Sequence, residues 1–168
     1  DKNLHLLEIE TACRYLKSGD ELVDIGCGDG EATIVYGQKV KKCTAYELSN
    51  FLRKKATEAV KRAGLKNTIV KAGDILKMKK IPEKPDVVVT QRLLINLASW
   101  SEQKEAIENI YRMLKPDGLY IMIENTNYAY LALNDMRHQV GLEPIPIHLH
   151  NLFLDYDQLM FFIKDKFQ

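Results

Sequence analysis

The chain has 168 residues, of which 46% are hydrophobic and 28% are charged, as in an ordinary globular protein. Its formal net charge is +1, which excludes the strong attraction to nucleic acid or anionic membranes that a highly basic protein has. The length predicts one domain, and no apolar run approaches the roughly 18 residues that a membrane-spanning helix requires. Three cysteines without C-x-x-C spacing predict neither a zinc site nor a disulfide framework, so we expect no metal and a reducing, cytoplasmic location.

Helices and strands alternate along the first half of the chain. Leu4, Leu7 and Ala12 recur at helical spacing, which predicts a first helix. Ser49 can cap a longer helix at its start, and Gly64 stands where a left-handed residue ends one. The predicted elements are a helix over 4–16, a strand over 21–25, a helix over 31–40, a strand over 43–47, a helix over 50–63 and a strand over 68–71.

The second half continues the alternation. The apolar run 86–90 predicts a strand buried on both faces, and 119–124 predicts another. Ser99 and Glu102 have the capping-box spacing for a helix that runs to Leu114. Further helices are expected over 128–140 and, capped by Asp155 or Asp157, through Ile163. Strands that alternate with helices predict a parallel sheet covered by helices on both faces.

The stretch from Leu22 to Gly30 places a glycine-rich turn at the end of the first predicted strand. Ligands bind beyond the carboxyl ends of strands in an open parallel sheet, and glycines let the backbone approach them closely. A dinucleotide site would need glycine at position 31, which is Glu31. A phosphate loop fails as well, because the glycine-lysine-hydroxyl ending is missing.

The pattern Asp24-x-Gly26-x-Gly28-x-Gly30 resembles the first signature of class I S-adenosylmethionine (SAM)-dependent methyltransferases. SAM carries an ammonium, a sulfonium and no phosphate, so an acidic turn suits it. The resemblance implies that Asp24 faces the methionine amino group and that the backbone of 26–28 lies along the methionyl part. It also implies S-adenosylhomocysteine (SAH) as the product.

Two further acids match this cofactor. Glu47 ends the second strand, and its carboxylate can accept both hydroxyls of the ribose. Asp74 follows the third strand, where the resemblance assigns it to the adenine amine and Ile75 to the ring face. The full set of expected cofactor-binding residues is Asp24, Gly26, Cys27, Gly28, Glu47, Leu48, Gly73, Asp74, Ile75 and Gln91.

The likeness extends over most of residues 2–160. The segments 90–97, 114–118 and 141–146 resemble small bacterial and archaeal methyltransferases that are described only generically. The resemblance implies an α/β fold, a three-layer Rossmann-like doubly wound sheet of five parallel strands in the order 3-2-1-4-5. Within the single methyltransferase domain 1–168 it implies an N-terminal helix (1–17), a cofactor-binding half (21–80) and a substrate-side half (81–168).

The loops after the fourth and fifth strands face the expected methyl group. Methyl transfer mainly requires alignment of the acceptor, and a base only where the acceptor loses a proton. Imidazole titrates near neutrality, so His148 and His150 are the expected bases. The expected substrate-binding residues are Arg92, Asn96, Asn125, Arg137 and Asn151.

The predicted activity is methyl transfer to an oxygen or nitrogen atom of a small-molecule acceptor. One alternative is an RNA or protein methyltransferase, because residues 1–84 carry 17 Lys and Arg against 12 Asp and Glu, with clusters at Lys39, Lys41 and Lys42 and at Lys77, Lys79 and Lys80. The other alternative is a non-catalytic cofactor-binding module. With small molecules as the expected partners, we expect neither nucleic acid nor a membrane to bind.

The common class I sheet has seven strands, the last two of which form an antiparallel edge hairpin. Five strands are predicted here, so the hairpin is missing or truncated, and strand five would expose an apolar edge. Either the segment 145–149 supplies an edge strand, or another subunit covers the edge in an oligomer.

Overall fold

A parallel sheet with helices on both faces forms the core of the protein. The computed structural model describes residues 2–79 and 81–167. In chain order the elements are α1 (Lys2–Cys13), β1 (Glu21–Ile25), α2 (Glu31–Gly37), β2 (Lys42–Glu47), α3 (Asn50–Arg62), β3 (Thr68–Ala72), β4 (Val87–Gln91), a 3₁₀ turn (Leu94–Asn96), α4 (Trp100–Met113), β5 (Leu119–Ile123), α5 (Asn127–Gln139) and α6 (Tyr156–Ile163).

The strand order is β3-β2-β1-β4-β5, and every neighbouring pair is parallel. This confirms the expected doubly wound Rossmann-like order. In the register of the three central strands, Asp24 lies opposite Ala45 on one side and Val89 on the other. The carboxyl ends of β1, β2 and β4 therefore meet at one edge of the sheet, where a doubly wound fold places its ligand.

Each face of the sheet has its own buried cluster. Val23 and Val88 face α4 and α6, where they join Ile107 and Leu159. The alternate strand residues, such as Leu22, face α1 and α2 on the opposite side. The expected three layers are thereby confirmed, because side chains along a strand alternate between its two faces.

The helix caps that the sequence predicts are confirmed. The Ser49 hydroxyl accepts a hydrogen bond from the N–H of Leu52, and the Ser99 hydroxyl accepts one from Glu102. The Glu102 carboxylate also accepts from the N–H of Ala98 at 2.8 Å, so it bonds the residue before the cap rather than Ser99 itself as a standard capping box would. At the start of α6 the cap is Asp155 rather than Asp157, and its carboxylate accepts from the N–H of Gln158.

Two helices differ from expectation. The first begins at Lys2 and ends at Cys13, and of its expected apolar residues Ala12 is fully buried whereas Leu4 and Leu7 are exposed. The second ends at Gly37 rather than near Val40. The side-chain amide of Asn67 donates to the carbonyls of both Gly37 and Val40, and these bonds hold the chain in a turn at that point.

The exposed edge of β5 is only partly covered. Residues 145–149 form no strand, so the expectation of an edge strand there is wrong. Instead, Leu154 makes a single parallel bridge with Thr126, just beyond the end of β5. The helix that follows β5 was predicted correctly, but α5 buries none of its residues.

Membrane-spanning helices and metal-binding clusters are both absent from residues 2–79 and 81–167. In that part of the chain no helix combines the length and the apolar character that crossing a bilayer demands. The same residues hold no group of three or more His, Cys, Asp or Glu side chains arranged for a metal ion. Lys80 of the second basic cluster lies outside the described residues, as do Asp1 and Gln168 at the bounds of the predicted domain.

Candidate functional site

The glycine-rich turn connects β1 to α2 in a conformation that side chains would disturb. Gly26 and Gly30 have φ angles of 76° and 89°, in the left-handed region. A Cβ on Gly26 would lie 2.8 Å from the Leu93 side chain, and one on Gly30 would lie 2.9 Å from the Cα of Ala56. The turn therefore packs against both the loop after β4 and α3, and glycine is required at both positions.

Asp24 lies on β1 with its carboxyl group beneath this turn. It is only 3% exposed, and its Oδ2 accepts a hydrogen bond of 2.6 Å from the hydroxyl of Thr33 on α2. Burial raises the pKa of Asp24 to about 6, the Thr33 hydrogen bond opposes that shift, and the charge of Glu47 adds to it. The result is a buried carboxyl group that ionises just below neutral pH and lines a cavity.

Glu47 reaches the same turn from the end of β2. Its Oε2 accepts from the N–H of Gly28 at 2.9 Å, and its Oε1 accepts from the N–H of Ser49 at 2.7 Å. These two bonds fix the orientation of a carboxylate that is 8% exposed. Each oxygen keeps a further lone pair that can accept a hydroxyl hydrogen. Leu48, the next residue, is 68% exposed and offers an apolar surface beside it.

The segment after β3 holds the other expected adenine contacts. Asp74 Oδ1 accepts from the N–H of Leu76, and its Oδ2 lies 3.1 Å from the ammonium of Lys77. Gly73 packs so closely that a Cβ would lie 2.7 Å from Tyr46. The Ile75 side chain is 4% exposed and belongs to the hydrophobic core, so it presents little surface to a ligand ring.

A cavity of about 330 Å³ opens at the carboxyl ends of β1 and β4. The structure brings eight of the predicted site residues to its wall: Asp24, Gly26, Cys27, Gly28, Gln91, Arg92, Asn96 and Asn151. The remaining wall residues were not predicted: His5, Asp29, Glu31, Ala32 and Ile95. Glu47, Leu48, Gly73, Asp74 and Ile75 lie outside this wall, on the β2 and β3 side of the turn.

Gln91 and Arg92 meet the N-terminal helix at the rim of the cavity. Gln91 Nε2 donates to Glu8 Oε2 at 2.6 Å. Arg92 Nη2 lies 3.2 Å from the same Glu8 oxygen and 2.9 Å from His5 Nδ1. Because a guanidinium only donates, His5 Nδ1 accepts here, which places the proton of a neutral imidazole on Nε2, 3.4 Å from Glu31 Oε2. The Arg92 cation is therefore already paired.

The other expected acceptor-side residues divide into two groups. Asn96 and Asn151 line the cavity, and the Asn96 amide donates to the carbonyl of Arg92 at 2.6 Å. Asn125 and Arg137 do not reach it, and Arg137 instead donates to the carbonyl of Glu143 at 2.7 Å.

The two expected bases lie outside the cavity wall. His148 and His150 stack on each other in an exposed segment, with ring centroids 5.7 Å apart. Asn151 donates its N–H to the carbonyl of His148, so both imidazoles lie on the turn that leads to the cavity. Their catalytic role remains a prediction.

Cys27 lines the cavity between two glycines, yet its thiol is suited to packing rather than chemistry. Burial raises its pKa far above the ordinary value, and the charges of Asp24 and Glu47 raise it further. A thiol that stays protonated at neutral pH is a poor nucleophile. We infer that Cys27 contributes shape and backbone to this wall.

Known proteins share this sequence pattern and fold. A protein-family model described as "Methyltransferase domain" matches residues 22–118. An uncharacterized methyltransferase of Schizosaccharomyces pombe is 28% identical over 113 residues, which are 62% of this chain and 40% of that protein. The chain thus spans two fifths of the length of this curated relative.

Two solved structures have a similar fold. The YcgJ protein from Bacillus subtilis is 12% identical with a TM-score of 0.74, over 96% of this chain and 68% of that one. The magnesium protoporphyrin IX methyltransferase ChlM from Synechocystis, solved with bound SAH, is 15% identical with a TM-score of 0.75, over 96% of this chain and 72% of that one. At these identities the likeness shows the fold.

Proposed function

The chain belongs to the methyltransferase domain family, and from this premise we propose that it is a SAM-dependent methyltransferase acting on an oxygen or nitrogen atom of a small-molecule acceptor. One observation carries the proposal. The carboxyl groups of Asp24 and Glu47 flank the Gly26–Gly28 backbone, and Glu47 is bonded directly to the N–H of Gly28. Such a turn suits a ligand with an ammonium group and a ribose, and it disfavours a pyrophosphate.

The side chains around the glycine-rich turn match the chemical groups of the cofactor one by one. Asp24 would accept from the methionine ammonium at the cavity end of the turn. Glu47 would accept from the two ribose hydroxyls through its free lone pairs. The exposed Leu48 and the carboxyl of Asp74 would contact the adenine, and the buried Ile75 would support them from the core. When bound, the cofactor supplies a methyl group on a cationic sulfur.

The chain's own residues have a positioning task on the acceptor side. Asn96 and Asn151 offer amide donors and acceptors at the cavity wall, and they can orient a neutral polar acceptor. Arg92 is paired with Glu8, so an anionic acceptor would have to displace that carboxylate first. A small neutral or amine acceptor fits this wall better than a phosphate or a polyanion.

The proposal is tested by SAH binding measured with calorimetry. We expect the native chain to bind SAH and the Glu47→Ala variant to bind at least about 100-fold more weakly, because the two charge-assisted hydrogen bonds to the ribose hydroxyls would contribute roughly 1.5–3 kcal/mol each. Glu10→Ala, on the exposed face of α1, is the control and should leave the affinity unchanged. Equal affinities for the native chain and Glu47→Ala would refute the ribose assignment.

Activity requires a second measurement. Transfer of a labelled methyl group should be followed against a panel of hydroxyl and amine acceptors, with RNA and unfolded protein as further arms. Turnover on small acceptors supports the proposal. Turnover on RNA or protein alone, or tight SAH binding without turnover on any acceptor, contradicts the small-molecule assignment.

A further inference from the structure

Glu124 makes an unusual connection between two strands. It follows β5 directly, and its side chain crosses to the loop after β4. Its Oε1 accepts from the N–H groups of Leu93 and Leu94 at 2.9 and 3.0 Å, and its Oε2 lies 3.4 Å from the N–H of Ile95. These are the first donors of the 3₁₀ turn, which have no partner within the turn itself. The carboxylate therefore caps this turn from a neighbouring strand.

The loop that Glu124 holds forms part of the cavity wall. Its first residue, Arg92, has a φ angle of 52°, a left-handed conformation that costs a non-glycine residue about 1 kcal/mol. Ile95 and Asn96 line the cavity together with Arg92. The Leu93 side chain occupies the space next to Gly26 that a Cβ would need. The position of this loop thus sets both the acceptor side of the cavity and the support of the glycine-rich turn.

We propose that Glu124 is a positioning residue whose ionised carboxylate holds the strained loop 92–97 in the conformation that forms the methyl-transfer cavity. The role of this cavity in methyl transfer rests on the proposed function, whereas the hydrogen bonds by which Glu124 holds the loop do not depend on it. Glu124 acts through the loop and needs no contact with cofactor or acceptor.

The charge state of Glu124 makes this hold sensitive to pH. Burial raises the pKa of Glu124 to about 7, although its hydrogen bonds from the backbone and from the hydroxyl of Thr90 oppose the shift. The groups that face it are the phenol of Tyr120, whose own pKa is raised by burial, and the hydroxyl of Thr90, which is hydrogen-bonded to that phenol. The Arg92 guanidinium is paired with Glu8 instead. Protonation replaces an accepting oxygen with a donor, so the hold weakens as the pH falls through about 7.

The first test compares the native chain with Glu124→Gln in the absence of any ligand. Backbone amide resonances are followed by NMR from pH 5.5 to 8.5. We expect the amides of Leu93 and Leu94 to shift with one common midpoint near pH 7, and Glu124→Gln to abolish that titration. Amides that do not share a midpoint, or that titrate equally in the variant, would overturn the proposal.

The second test measures the effect on the site. SAH affinity at pH 8 and amide exchange of residues 93–95 are compared for the native chain, Glu124→Gln, Glu124→Asp and the control Glu105→Gln, which alters an exposed residue of α4. We expect Glu124→Gln to bind SAH about tenfold more weakly and to exchange these amides faster, because one accepting oxygen becomes a donor. Glu124→Asp should recover part of the affinity, and Glu105→Gln should match the native chain.

The outcomes separate the two proposals. If the native chain binds no SAH, the proposed function fails, and the amide titration alone decides the role of Glu124. If the native chain binds SAH and Glu124→Gln binds it equally well, the positioning role is wrong and the proposed function stands. A Glu124→Gln variant with melting and amide spectra unlike the native chain leaves the native titration as the deciding measurement.

Discussion

Glu8 of α1 and Gln91 at the end of β4 are joined by a hydrogen bond of 2.6 Å, in which the Gln91 amide donates to the Glu8 carboxylate. The same carboxylate oxygen lies 3.2 Å from the guanidinium of Arg92. The N-terminal helix is therefore fastened to the rim of the cavity by polar contacts, while Ile9 and Ala12 pack its other end into the core.

This fastening predicts the effect of Glu8→Ala. Loss of a partly buried, charge-assisted contact should cost about 1–2 kcal/mol and free the amino-terminal turns of α1. We expect amide exchange over residues 2–8 to become about tenfold faster, with the sheet unaffected. Hydrogen exchange read by mass spectrometry measures it, and Glu10→Ala on the exposed face is the control. Unchanged exchange in Glu8→Ala would mean that apolar packing alone holds the helix.

The raised pKa of Asp24 predicts a pH-dependent stability. Burial raises this pKa from 3.8 to about 6, so the folded state binds the proton more tightly than the unfolded chain does. The resulting stabilisation is fully present below about pH 4 and is lost as the pH rises through about 6.

Asp24→Asn removes this titration. Its free energy of unfolding relative to the native chain should increase between pH 4 and pH 8 by up to about 3 kcal/mol, since one pKa unit corresponds to about 1.4 kcal/mol. Urea unfolding at several pH values measures the change, with the exposed Asp165→Asn as control. The same variant should lose SAH affinity by more than about tenfold at pH 8, because the neutral amide no longer attracts an ammonium group. A pH-independent difference between the two chains would contradict the assigned burial effect.

The hydroxyl of Thr33 stabilises the ionised form of Asp24. Thr33→Val removes this donor without changing the shape of the side chain, so we expect the pKa of Asp24 to rise by about one further unit. As the pH is lowered, the SAH affinity of Thr33→Val should then begin to fall at a higher pH than the affinity of the native chain does. Thr33→Ser keeps the hydroxyl and should retain the native profile. Identical profiles for all three chains would show that the ionisation of Asp24 does not govern binding.

The glycine-rich turn predicts an asymmetry between two glycine substitutions. Gly30 and Gly64 both have left-handed φ angles, but only at Gly30 would an added Cβ meet a neighbour, the Cα of Ala56, at 2.9 Å. Gly64→Ala should cost about 1 kcal/mol for the backbone conformation alone. Gly30→Ala should cost about 3 kcal/mol, because overpacking against α3 is added. Chemical denaturation of the two variants compares them, and equal losses would show that α3 moves aside freely.

The sequence predicts the strands of the sheet and the glycine-rich turn well. Apolar runs bounded by turn residues locate all five strands to within about one residue of their ends, and the acids at those ends mark the turn that the structure builds. These predictions succeed because strand burial and glycine turns are local properties of the chain. The capping serines and Gly64 are identified for the same reason.

The contribution of α1 could not be predicted in this way. Helical spacing selects Leu4 and Leu7, whereas the inward face carries His5 and Glu8 because that end of the helix lies over a polar rim. His5 and Glu8, three residues apart on this helix, are the only hint of such a face in the sequence. Their role becomes clear only when the fold places Arg92 beside them. Glu124 is similar, since its three partners come from a loop about thirty residues earlier in the chain.

The lack of any buried residue on α5 affects how this protein can change over time. Substitutions of its exposed residues, such as Leu131 and Met136, remove little buried surface, so we expect them to change the free energy of unfolding by less than about 0.5 kcal/mol. The buried residues of β1 and β2 leave less room for change, because a substitution there alters the packing of the core. Stability therefore constrains the outer face of α5 much less than it constrains the central strands.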